Sequence, residues 1–77
     1  MIAPAKLVLN AAQKNAFIRI FKNPVPSVDD ICTVVSQFTY FSGRRKTVSE
    51  IRNNLKPDII AKCYATVREE WARGRLW

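Results

Sequence analysis

Apolar residues recur at steps of three and four through most of this chain, the spacing that lines one side of an α-helix. The clearest run is Val28, Ile31, Val35 and Phe38, with Val34 and Phe41 widening the stripe. Ser27 stands before it with Asp30 three places on, a capping arrangement, and Asp29 and Asp30 suit the positive end of a helix. Gly43 supplies a stop. The pattern predicts a helix over 28–41. A second helix opens at Thr47-Val48-Ser49-Glu50, where the Thr hydroxyl can accept from the Glu50 amide while the Glu carboxylate reaches back to the Thr47 amide. Val48, Ile51 and Leu55 share its apolar side. It is short, because Pro57 disfavours helical geometry at Lys56 and has no amide hydrogen. Pro57 then serves as first residue of a third helix, with Asp58 in its first turn and Ile60, Cys63, Val67 and Trp71 as its apolar stripe. Gly74 ends that helix, whose outer side carries Lys62, Thr66, Glu69, Glu70 and Arg73.

The segment before Asn23 is less uniform. Ala5, Leu9, Ala12, Ala16 and Ile20 follow helical spacing behind Pro4, yet Phe17-Ile18-Arg19-Ile20-Phe21 is aromatic and β-branched enough for a strand. A short helix to about Asn15 followed by a short strand reconciles the two patterns. A hairpin of 6–10 with 16–22 is the alternative. Asn23, Pro24 and Pro26 punctuate the chain, so 23–26 is read as a loop between an N-terminal segment, 1–22, and a helical unit, 27–77. The fold class expected is mainly α: a single small domain of three helices, 1–77, with an N-terminal helix or strand extension.

A chain of 77 residues buries only about 60% of the surface its unfolded form exposes, so its apolar residues are all needed. Charge alters this ordinary picture, since 13 Lys and Arg against 6 Asp and Glu leave a net +7. Such an excess favours a polyanionic partner, whether nucleic acid, an anionic membrane surface or an acidic protein surface. It is also uneven. Arg44, Arg45, Lys46, Arg52 and Lys56 fall close together with Glu50 as the one acid among them, and Lys6, Lys14, Arg19 and Lys22 precede Asp29 with no acid at all.

Catalysis is not expected. There is no His for general acid or base work, and Asp29 with Asp30 and Glu69 with Glu70 are neighbours that point about 100° apart on a helix. Two glycines cannot build a phosphate loop, and Cys32 and Cys63 without His make neither a zinc site nor an activated nucleophile. Each Cys lies at a helical apolar position, where a free buried thiol is the common outcome, although one disulfide between them is open. No cofactor is implied. No apolar run reaches the ~18 residues of a membrane span. A cytoplasmic or nucleoid-associated location is the default. The acid-free start also fits organellar import, against which stand its single Arg and the lack of Ser before Ser27.

Thr47-Val48-Ser49-Glu50-Ile51 through Leu55 resembles the second helix of helix-turn-helix and winged-helix DNA-binding domains, which commonly show Thr-Val-Ser-Glu-Ile, a Leu four residues later, a turn and a recognition helix. The resemblance covers about ten residues closely and, more loosely, 28–73. The pattern differs at Lys56, where a Gly is usual, and in the third helix, where the apolar phase falls on Cys63 in place of Lys62. The resemblance implies that Asp58, Ile59, Lys62 and Thr66 approach the major groove while Arg44, Arg45, Lys46 and Arg52 hold phosphates. With Lys56 added, the expected nucleic-acid contacts are Arg44, Arg45, Lys46, Arg52, Lys56, Lys62 and Thr66, and DNA is preferred to RNA. The resemblance also makes a homodimer reasonable, because paired modules match two-fold DNA sites.

The tail Arg73-Gly74-Arg75-Leu76-Trp77 offers a second candidate. Exposed, Trp77 and Leu76 between Arg73 and Arg75 would dock in a partner pocket or stack on a base. Folded back, Trp77 would close a small core, which is the favoured reading for a domain of this size. The function expected is a small duplex-DNA-binding regulator or accessory protein. The alternative is a protein-interaction module, either a subunit of a larger assembly or an inhibitor of an acidic surface.

Overall fold

The computed structural model describes residues 2–4 and 6–77. In chain order the elements are β1 (Ile2–Pro4), α1 (Ala11–Lys22), α2 (Val28–Phe38), β2 (Thr39–Phe41), α3 (Val48–Asn54) and α4 (Pro57–Ala72). The protein is thus mainly helical, as expected, and the described residues form four helices and a two-stranded antiparallel sheet in which Ile2 pairs with Phe41 and Pro4 with Thr39.

The N-terminal extension is a helix, one of the two forms expected of it, and it departs from the helix-then-strand and hairpin arrangements. Residues 16–22 are neither a strand nor half a hairpin: they belong to α1. Asn10 caps that helix, accepting from the Gln13 amide at 2.8 Å while the Gln13 Oε1 accepts from the Asn10 amide at 3.0 Å. Such a reciprocal cap fixes the first turn. Phe17 and Phe21, one helical turn apart, then fall on the same side and are buried, which overrides the local β preference of the Phe-Ile-Arg-Ile-Phe run. Ala12 and Ala16, expected on the apolar face, are exposed, and Ala5 lies outside the described residues.

The loop at 23–26 is as expected, and Ser27 caps α2 by accepting from the Asp30 amide at 3.1 Å. The helix ends at Phe38 and not at Phe41. Thr39 adopts extended geometry, and its hydroxyl donates to the Val35 carbonyl. Thr39-Tyr40-Phe41 then suits a strand, with Thr39 and Phe41 inward and Tyr40 outward. Phe41 is buried as the helical stripe anticipated, but by strand alternation. Ser42 and Gly43 carry φ of 54° and 80°, the positive pair required by a two-residue type I′ turn. Paired backbone bonds between Phe41 and Arg44, 2.8 and 3.1 Å, close that turn into a small hairpin.

The capping box of α3 forms as read: the Glu50 amide donates to Thr47 Oγ1 at 3.2 Å, and the Thr47 amide donates to Glu50 Oε1 at 3.3 Å. Only Leu55 and Lys56 separate α3 from α4, whose first residue is Pro57. The end of α4 is a Schellman motif, with the Arg75 amide donating to the Glu70 carbonyl at 2.9 Å, the Gly74 amide to Trp71 at 3.0 Å, and Gly74 at φ 70°. This reversal returns Leu76 to the interior.

Helix α2 is buried on two sides. Val34 and Phe38 join Phe17, Phe21, Val67 and Leu76 in one cluster, while Cys32 and Val35 join Phe41, Ile51, Ile60 and Cys63 in another. Both thiols are free and buried. Aromatic contacts knit the first cluster, Phe17 meeting Phe38 edge-on at 4.8 Å and Phe21 stacking on Trp71 at 5.1 Å. From α4, Arg68 Nε donates to the Phe21 carbonyl at 3.0 Å and the Tyr64 hydroxyl to that of Ile20 at 3.4 Å, which ties down the end of α1.

Candidate nucleic-acid interface

The basic residues singled out in the sequence are held by three elements: the hairpin tip, α3 and α4. Arg44 leaves the hairpin next to the start of α3, and its Nη2 lies 2.8 Å from Glu50 Oε2. Glu50 therefore serves the cap and the hairpin together. Its carboxyl is held down to about 2, chiefly by the hydrogen bond from Arg44 and then by that from the Thr47 amide. Arg45 lies 5.1 Å above the Tyr40 ring, and its Nη2 donates to the Tyr40 hydroxyl at 3.5 Å. Its Nε is buried without a hydrogen-bond partner among the described residues. Arg52 is turned back to α2, where it pairs with Asp29.

These contacts divide the expected cluster. Arg44, Arg45 and Arg52 each have an internal partner, although Arg44 and Arg52 keep 60% and 49% of their side-chain surface exposed. Exposed pairs of this kind are worth little, so a phosphate can compete for either guanidinium. Lys46, Lys56 and Lys62 have no carboxylate within ion-pair distance among the described residues. Lys46 precedes α3, Lys56 is the N-cap of α4, and Lys62 is exposed in the second turn of α4. The uncapped, electropositive start of α4 lies beside Lys56, offset by Asp58 in its first turn.

Lys62 and Thr66 line a shallow groove with Ile59 and Cys63. The Thr66 hydroxyl donates to the Lys62 carbonyl at 3.0 Å and is left to act as an acceptor. Arg52 borders a different, apolar groove with Val28, Ile31, Leu55, Pro57 and Ala61. Lys62 and Thr66 thus line one groove and Arg52 another.

The tail follows the folded-back reading. Leu76 is only 2% exposed and is unavailable to a partner, because the Schellman turn directs it among Phe17, Phe21 and Phe38. Trp77 is half-buried, with its ring 6.2 Å from that of Phe38. Arg73 pairs with Glu69 at 2.6 Å, while Arg75 is exposed with no acidic partner among the described residues. Lys6 and Lys14, which were not singled out as site residues, border a groove with Trp77. The signal available for them was the acid-free stretch before Asp29.

Among the described residues no helix is long and apolar enough to cross a membrane. Comparison with protein-family models, with curated proteins and with solved structures finds no match to this chain.

Proposed function

We propose that the chain is a small nucleic-acid-binding protein, a regulator or accessory factor that grips duplex DNA with the α3–α4 unit and needs no cofactor. The observation that carries this reading is the set of three lysines, Lys46, Lys56 and Lys62, that have no ion-pair carboxylate among the described residues and are spread over the α3–α4 unit, whose helices are joined by only two residues. Lysines so placed can neutralise phosphates on either side of an inserted helix, and Arg44 and Arg52 add contacts by exchanging a surface carboxylate for phosphate. Asp58 and Ile59 at the start of α4 do not suit base contacts, so the reading favours grip over sequence discrimination, with DNA ahead of RNA. Two copies on one site would compensate for the few contacts a single module makes.

Binding to random-sequence duplex DNA, followed as salt is raised, tests the reading. Affinity should fall steeply, and replacing Lys46, Lys56 and Lys62 by Gln should weaken binding on every sequence and reduce the salt slope by about one for each lysine. No binding at low salt would end it.

One observation favours a second reading, a protein-interaction module. Val25 and Val28 are 81% and 64% exposed, and Val28 continues into the apolar groove shared with Ile31, Leu55 and Pro57. A stoichiometric protein partner recovered without nucleic acid would favour this module over the DNA reading.

A further inference from the structure

The groove that Lys6, Lys14 and Trp77 share has a volume of about 320 Å³. That falls within the range of roughly 300–1,000 Å³ in which small ligands are held. Its other walls are Leu7, Val8 and Leu9. Trp77 is distinctive among the large aromatics. Phe17, Phe21, Phe38 and Phe41 are buried, Trp71 stacks on Phe21, Tyr64 is bonded to the end of α1, and Tyr40, though more exposed than Trp77, has one ring face taken by Arg45. Trp77 packs against Phe38 and at the same time lines open space.

The groove continues into its neighbours. Lys6 also borders the adjoining depression, with Pro4, Arg75 and Thr66, and Thr66 borders the α4 groove with Lys62. Four cations from distant parts of the sequence, Lys62, Arg75, Lys6 and Lys14, therefore follow one another over a connected surface. None has a carboxylate at ion-pair distance among the described residues, and the acid along the track is Glu70, beside Arg75 and Lys6. A track of spaced cations ending at a partly exposed indole has the two components of a single-strand site, charges that follow a backbone and an aromatic surface on which a base lies flat. A stiff duplex cannot lay a base on Trp77.

We propose that this track binds single-stranded nucleic acid, with one unpaired base stacked on the Trp77 indole and the flanking phosphates held by Lys6, Lys14 and Arg75. The stacking end of the track, at Lys6, Lys14, Arg75 and Trp77, contains none of the α3–α4 lysines, and only Lys62 at its far end is shared with the duplex reading.

Photo-crosslinking of the unaltered protein to an oligothymidylate carrying 5-iodouracil tests the placement. A crosslink mapping to Trp77 is expected, and crosslinks confined to other residues would overturn the proposal. Fluorescence supplies a second measurement: in a Trp71→Phe variant the remaining indole should be quenched saturably by oligothymidylate. Equal quenching by inorganic polyphosphate would reduce the site to charge alone and overturn base stacking. Trp77→Ala should lower oligothymidylate affinity about tenfold while Trp77→Phe retains most of it. Because Trp77 touches the core, the paired change of Lys6 and Lys14 to Gln, both outside the interior, is the companion: it should lower affinity and the salt slope without moving the melting temperature. Unchanged affinity in that variant would remove the lysines from the site, and capture of an acidic peptide in preference to the oligonucleotide would replace the ligand class. Loss of duplex binding with oligothymidylate binding intact would dismiss the α3–α4 reading alone.

Discussion

Arg68 Nε donates to the Phe21 carbonyl oxygen at 3.0 Å, so that a residue of the last helix closes the end of the first. The carbonyls of a final helical turn have no partner within the helix and carry partial negative charge, which a guanidinium satisfies in both respects. The Tyr64 hydroxyl adds a second donor, at 3.4 Å, to the Ile20 carbonyl, which already accepts from the Asn23 amide. Arg68→Ala should therefore destabilise the protein by about 1 kcal/mol, with α1 amides losing protection first in hydrogen exchange. Equal loss of protection in α3 would refute that role.

Glu50 makes the sharpest prediction about pH. Its carboxyl is depressed from 4.5 to about 2 by Arg44 and the Thr47 amide. A depressed carboxyl contributes stability that is complete above its unfolded value and is lost as pH falls through the folded one. Wild type should exceed Glu50→Gln in melting temperature at neutral pH, and the gap should close progressively below pH 4.5. An NMR titration placing the Glu50 midpoint at an ordinary carboxylate value would contradict this.

The hairpin tip carries a testable backbone feature. Ser42 holds φ 54° at the first central position of a turn that prefers Asn there. Ser42→Asn should raise stability by a few tenths of a kcal/mol, and Gly43→Ala, at φ 80°, should lower it by about 1–2 kcal/mol without steric conflict, since no atom lies within contact of an added Cβ. Thermal denaturation of the two variants checks both signs.

Leu76 lies beyond the last helix and yet is among the most deeply buried side chains. Leu76→Ala should cost about 3 kcal/mol, a large share of the total for a domain of this size. A cost near zero, read from urea unfolding, would place the tail outside the core.

Cys32 and Cys63 are buried, and burial raises both thiols above their ordinary value, so neither presents a thiolate. Reaction with a disulfide reagent should proceed only as fast as the protein opens. Immediate modification in native buffer would be inconsistent with that burial.

What could be read from the residues alone was whatever was local. Thr47 and Glu50, Ser27 and Asp30, and Pro57 with Asp58 act over one helical turn, and each forms where its spacing placed it. Asn10 and Gln13 form a box of the same kind, and recognising it would have extended α1 through Phe21. The end of α2 was ambiguous for a physical reason: Phe38 and Phe41 satisfy the helical step, while Thr39 and Phe41 satisfy the strand step, and only pairing with β1 decides between them. The candidate site was less legible because charge compensation is not local. Asp29 neutralises Arg52 from another helix, and Lys6 meets Trp77 only through the fold.

The two-sided burial of α2 sets how this domain comes apart. With Val34 and Phe38 committed to one cluster and Cys32 and Val35 to the other, neither cluster can dissolve while its partner persists around an intact helix. Melting should accordingly be all-or-none, with α2 amides exchanging only through the global event, and a stable half-folded form has no wall left to stand on.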